Sequence, residues 1–267
     1  MATTPPTASP RPSSPGSGDA TRSPIEPTEL VFTVAGDERR VRVFVPDPMP
    51  AGKRPLVLFL HAAGETPAIA IRDTRLEQLT ITDGAIVAFP PADGRAWGAQ
   101  VTPGLSDSET DEAFLRGLID QLINIYPVDP DRVYVAGFSM GAVMAGRLAC
   151  RLADRIAAAA VVSGTPWIGD CMPSRPVSVL IVHGSGDSTF RHAAAESMAQ
   201  AWRERDDCPP PSNPEAIGDG ATRIGSDGCA GGTAVQFVSV ENGWHTWFRK
   251  PDASALAWRF FVEHGRR

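Results

Sequence analysis

Gly137-Phe-Ser139-Met-Gly141 is the stretch of this chain best suited to covalent chemistry. It follows an apolar run at 132–136 and leads into small residues, Gly141, Ala142, Ala145 and Gly146, with helical spacing. A G-x-S-x-G segment between a strand and a helix makes a sharp turn that exposes the serine hydroxyl. Side chains at the two flanking positions would collide, so both must be glycine. The helix beyond the turn aims its first N–H groups at the point where negative charge develops during attack on a carbonyl. The bland alternative is a glycine-rich turn carrying a surface serine, and the flanking strand and helix weigh against it.

A serine hydroxyl needs a base to take its proton, and the base needs a third group to orient it. On a strand–turn–helix nucleophile the chain order is serine, then carboxylate, then histidine. Of the five histidines, His61 precedes the serine, and His183 ends an apolar run before the preferred acid. His192 opens a helical stretch and His264 lies near the C-terminus. His245 alone falls in a loop just after the last strand-like run, within Asn242-Gly-Trp-His-Thr-Trp247. The acid of choice is Asp187, in His183-Gly-Ser-Gly-Asp187, because a carboxylate in a glycine-rich loop at the carboxyl end of a strand sits where ligands gather in open α/β sheets. Asp170 competes, but Cys171 and the prolines beyond it suggest that the chain has turned back there.

A tetrahedral oxyanion needs two preorganised donors. The residue after the nucleophile, Met140, supplies one backbone N–H. The loop His61-Ala62-Ala63-Gly64, after the run at 56–60, supplies the other, with Ala63 the expected donor. Trp97, Trp167, Trp244 and Trp247 all fall in loops expected at the same end of the sheet. Trp97, Trp247 and Trp244 are the candidates for substrate contact, set against ordinary packing beneath long loops.

These residues need a scaffold, and the pattern around them describes one. Residues 30–34 and 40–45 alternate apolar and polar about Gly36-Asp37, as in an antiparallel hairpin. Runs at 56–60, 85–89, 132–136, 157–162, 177–182 and 234–240 have the length and continuity of strands covered on both faces. Helical spacing fills 111–125, 140–152, 191–205 and 252–264. Strand and helix alternate, which predicts an α/β fold with a mostly parallel sheet and helices on both faces. No insertion between 162 and Asp187 is long enough for a large lid.

Of the 267 residues, 42% are hydrophobic, enough for one well-filled core. The domain is expected over 28–267, preceded by a Pro, Ser and Thr-rich tail at 1–27 that cannot bury enough surface to order itself. That tail looks like the stalk after a signal or lipid-anchor cysteine lying outside this sequence, or else is an ordinary disordered end. A net charge of −6 without a basic cluster argues against nucleic acid or an anionic membrane as partner. No run is long enough to span a bilayer. Cys150, Cys171, Cys208 and Cys229 form no CxxC pair and have no histidines at zinc spacing, so no metal site is expected. Four cysteines allow three pairings. Sequential pairing is the simplest, and four reduced thiols are the alternative.

Together, Pro55 to Gly64, Pro127-Val-Asp-Pro-Asp-Arg-Val-Tyr leading into Gly137–Gly141, Pro176 to Asp187, and Gly243-Trp-His-Thr-Trp247 resemble the secreted polyhydroxybutyrate depolymerase and feruloyl esterase family of α/β hydrolases, which includes actinobacterial lipoprotein esterases. The resemblance runs from about Leu30 to the C-terminus. It implies an α/β-hydrolase fold and hydrolysis of small or polymeric carboxylic esters by a Ser139–His245–Asp187 triad. It also implies no metal or organic cofactor and an extracytoplasmic location. The segment around Gly228-Cys-Ala-Gly-Gly232 resembles the family's cysteine-bounded stretch, which favours a Cys208–Cys229 disulfide over Cys150–Cys171. Two positions depart from the family pattern, Ala62 and Trp244, where glycine is usual. Both departures bear on the acyl pocket more than on the chemistry.

Overall fold

A computed structural model describes residues 25–34, 37–94, 96–98, 108–165 and 171–266. Apart from 25–27, the expected tail lies outside the described residues, as do Trp167 and Asp170. The strands are β1 (Thr28–Val34), β2 (Asp37–Phe44), β3 (Arg54–Leu60), β4 (Ile86–Phe89), β5 (Val128–Phe138), β6 (Ala158–Val162), β7 (Ser178–Gly184), β8 (Glu215–Gly218), β9 (Ala221–Asp227) and β10 (Ala234–Val240). The helices are α1 (Pro67–Thr74), α2 (Leu79–Thr82), α3 (Ser108–Ile125), α4 (Met140–Arg151), α5 (His192–Arg205) and α6 (Ala253–Glu263).

The ten strands form one sheet in the order β1-β2-β4-β3-β5-β6-β7-β10-β9-β8. The six from β4 to β10 pair in parallel, and an antiparallel hairpin closes each edge. The central strands are buried almost throughout because helices cover both faces. Successive side chains of β3 serve opposite layers. Leu56, Leu58 and Leu60 pack with α3, α4 and α5, while Val57 and Phe59 pack with α1 and α6. The expected mostly parallel sheet with helices on both faces is therefore what forms.

The far edge was not foreseen. β8 and β9 carry polar residues and two glycines, Gly218 and Gly225, with a half-exposed pattern that gives no strand period to read. Helix α1 was also missed, although Thr66 caps it by accepting from Ile69 N–H and Pro67 opens it.

Disulfides join Cys150 to Cys171 and Cys208 to Cys229, the sequential pairing. The end of α5 lies between them, with Arg205 Nε donating to the Cys171 carbonyl at 2.9 Å and Ala230 N–H to the Asp206 carbonyl at 2.7 Å. The Asp206 side chain is fully buried, and burial pushes its carboxyl up to about 6 against the opposing pull of Val177 N–H, Arg205 and Arg175. A carboxyl raised on folding keeps a proton that the unfolded chain has released, so stability falls as pH rises from about 4 to about 6. Asp206→Asn removes that penalty. At pH 8 it is expected to gain on the order of 2–3 kcal/mol over the natural chain. The gain should close by about pH 4, as read from urea midpoints at several pH values.

Candidate active site

Strand β5 ends at Phe138 and α4 starts at Met140, leaving Ser139 alone to reverse the chain. Its backbone stands at φ 55°, ψ −119°, a conformation costing a serine on the order of 1–3 kcal/mol. Close packing on both sides enforces it. A Cβ on Gly137 would lie 2.1 Å from the Gly141 carbonyl oxygen, and one on Gly141 would lie 1.9 Å from that of Leu60. The two glycines are thus contact points between the turn, the helix and the tip of β3.

Ser139 Oγ donates to His245 Nε2 at 2.9 Å, and His245 Nδ1 donates to Asp187 Oδ2 at 2.9 Å. The second carboxylate oxygen, Oδ1, accepts from Thr189 N–H at 2.8 Å and Phe190 N–H at 3.0 Å. Burial raises the Asp187 carboxyl, but the bonds from His245, Phe190 and Thr189 outweigh it and hold the group below the ordinary carboxylate range. Asp187 therefore stays ionised at neutral pH. The rings of Phe138 and Phe190 stand 5.2 Å and 5.8 Å from that of His245.

His183 comes before the acid in the chain and lies behind it in space. Its Nε2 donates to the Phe190 carbonyl at 2.9 Å and passes 3.7 Å from Asp187 Oδ2. Burial pushes its pKa down, so it braces the 187–190 turn as a neutral ring.

The loop after β3 starts against α4, as the Gly141 contact with Leu60 and His61 requires. Ala62 N–H is bound by the Glu65 carboxylate at 3.2 Å, and Glu65 N–H returns to the Ala62 carbonyl at 3.1 Å. Among the described residues, no acceptor takes the N–H of Ala63 or of Met140. His61 is buried with its Nδ1 donating to the Ala62 carbonyl and its Nε2 accepting from Ala92 N–H. Burial lowers its pKa, consistent with the neutral tautomer those two bonds demand.

The tryptophans divide. Trp97 is only 2% exposed, and its indole N–H donates to the His61 carbonyl at 2.9 Å. Trp247 is buried edge-on against Phe59, with its N–H on Ser254 Oγ. Both rings support loops instead of facing solvent, which corrects the expectation of direct substrate contact for them. Trp244, beside His245, is 76% exposed. No group of three or more His, Cys, Asp or Glu among the described residues is arranged to hold a metal ion.

The model of the Esterase family (Putative esterase) matches residues 33–211, about two thirds of the chain. The chain belongs to that family. Among sequence relatives of this esterase-family chain is a bifunctional acetylxylan esterase/xylanase from Neocallimastix patriciarum, 30% identical over 65% of this chain and 25% of that protein. Feruloyl esterase B from Piromyces equi is 28% identical over 72% of this chain and 39% of its own length. The chain thus spans well under half of these relatives. The acetyl xylan esterase from Aspergillus awamori shares the fold at a TM-score of 0.70 and 18% identity, covering 88% of this chain and 99% of that one.

Proposed function

We propose that the chain is a serine hydrolase of carboxylic esters working through an acyl-enzyme. The observation that carries this reading is the unbroken chain of hydrogen bonds from Asp187 through His245 to Ser139. In the first step His245 Nε2 takes the Ser139 proton as Oγ attacks the ester carbonyl. The resulting oxyanion is held by the N–H groups of Met140 and Ala63, neither of which has another acceptor among the described residues. Protonated His245 then gives its proton to the leaving alkoxide and the acyl group stays on Ser139. Water, deprotonated by His245, later releases the acid. Asp187 holds the Nδ1–H tautomer and offsets the charge on the imidazolium.

The names of the relatives support acetyl and feruloyl esters, presented on a carbohydrate, as the substrates to try first. Trp244 fits a substrate contact, since its exposed ring adjoins the histidine and can stack on a sugar or an aromatic acid. Two disulfides support an oxidising compartment outside the cytoplasm.

A fluorophosphonate probe and a panel of acetyl, longer-chain and feruloyl esters test the reading. The natural chain is expected to be labelled once, at Ser139, and Ser139→Ala to lose both labelling and turnover by at least about 10⁴-fold. Turnover surviving in Ser139→Ala would remove this mechanism. Added alcohol acceptors in the same assay separate hydrolysis from acyl transfer, and a folded natural chain that no probe labels would point to a binding role.

A further inference from the structure

Ser139 and His245 reach each other from strands that are not neighbours. The sheet runs β5, β6, β7, β10, so a histidine placed after β10 must return across the tips of β7 and β6 to meet a serine at the tip of β5. Three strand spacings make that about 14 Å, beyond the reach of any side chain. The loop itself has to arch over the sheet.

The first half of the arch is tied to the loop that carries the acid. Ser185 N–H donates to the Val240 carbonyl at 2.9 Å, Gly186 N–H to the Gly243 carbonyl at 2.9 Å, and Asn242 N–H to Ser185 Oγ at 2.8 Å. These ties all fall before His245. On the other side of the histidine the tie comes from the tip of β6, where Ser163 Oγ donates to the Thr246 carbonyl at 3.0 Å across 83 residues of sequence.

Ser163 sits in an unexpected conformation for that task. It is 0% exposed and has a φ of 49°, the left-handed region that a serine enters at a cost of about 1–2 kcal/mol. Its N–H is held by the Val182 carbonyl at 2.9 Å. The next residue, Gly164, abuts the nucleophile turn, since a Cβ there would stand 2.7 Å from the Ser139 carbonyl oxygen. The strained residue is thus wedged between the serine turn and the histidine arch. Glycine would take the same backbone shape without strain, so the presence of a hydroxyl calls for a use of that hydroxyl.

We propose that Ser163 is a positioning residue for His245: its hydroxyl pins the Thr246 carbonyl and so sets the height at which the imidazole meets Ser139. The proposal rests on the reading of Ser139, His245 and Asp187 as a triad.

Ser163→Ala and Ser163→Gly test it together. Both delete the hydroxyl and leave the Thr246 carbonyl unpaired, but only glycine also relieves the backbone. Both variants are expected to lose kcat by about 10–100-fold with KM unchanged. Their thermal midpoints should separate, with the glycine variant melting above the alanine variant. The low-field proton NMR resonance of the His245–Asp187 hydrogen bond should shift or broaden in both. A glycine variant with natural kcat and an unmoved resonance would show that Ser163 only shapes its turn, and would overturn the proposal. Should the natural chain turn over no ester, the triad reading falls by itself. The resonance then decides for Ser163: displaced in both variants supports positioning, unmoved in both rejects it.

Discussion

Asp187→Asn is expected to lower kcat about 10⁴-fold while leaving the protein folded and the ester bound. The carboxylate has two distinct tasks, one at each oxygen. Oδ1 closes the turn by accepting from Thr189 and Phe190, and Oδ2 accepts from His245 Nδ1. An asparagine keeps the turn if its carbonyl oxygen stays on the two N–H groups, and its amide then faces His245. An amide N–H cannot accept from Nδ1, so the imidazole is driven to the other tautomer, with a proton on Nε2 pointing at Ser139. That proton blocks the transfer on which attack depends. The sign of the pH effect follows from the depressed Asp187 carboxyl. Its contribution to stability is present above the unfolded carboxylate pKa and is lost as pH falls through the lower folded value. Between pH 6 and 9 the variant should therefore melt at a nearly constant offset from the natural chain, while kcat stays low throughout. Steady-state kinetics on an activated acetyl ester, with melting curves on the same samples, check both halves. A loss smaller than about tenfold would mean that the acid comes from elsewhere.

The contrast between the triad and its supports shows what a sequence carries. The nucleophile turn was legible because any side chain at its two glycines would collide with neighbouring backbone, which leaves no choice of residue. The order serine, aspartate, histidine is the chain order of the strands they follow, β5, β7 and β10. The inner strands were legible because burial on both faces makes them continuously apolar. The direction in which a loop residue points was not legible. Trp97 and Trp244 both lie in loops at the carboxyl end of the sheet, yet one ring is 2% exposed and the other 76%. Ser163 was invisible for a different reason. Its left-handed backbone is imposed by neighbours distant in sequence, and serine is not the residue that a positive φ suggests. The Arg39–Asp111 pair, 72 residues apart, was equally beyond periodicity, since Asp111 read only as the first residue of a helical stretch and nothing singled out Arg39.

That pair carries the second large effect. Arg39 Nη1 donates to Asp111 Oδ1 at 2.6 Å with both side chains buried, and the Arg39 guanidinium lies 4.5 Å over the Phe114 ring. Asp111 Oδ2 accepts from Gly98 N–H at 2.7 Å. Gly98 follows Trp97, whose indole N–H holds the His61 carbonyl at the root of the loop that carries Ala63. A buried carboxylate is therefore two hydrogen bonds from the loop that carries the proposed oxyanion donor. Asp111→Ala leaves the buried guanidinium only the half-exposed Asp93 carboxylate, 3.7 Å from Nη2, and is expected to cost about 3 kcal/mol, or roughly 10 °C in the thermal midpoint for a domain of this size. Stability alone does not explain the site, and the double variant Arg39→Met/Asp111→Leu separates the two roles. Replacing both charges by apolar groups removes the stranded ion, so most of the stability should return. Gly98 N–H still has no acceptor, so the Trp97 segment remains untethered and kcat should stay depressed about tenfold or more, well below the melting transition. Urea midpoints and kcat measured on the single and double variants give the answer. Recovery of both quantities together in the double variant would reduce the pair to a stability element. Recovery of stability without kcat would place Asp111 in the support of the oxyanion loop.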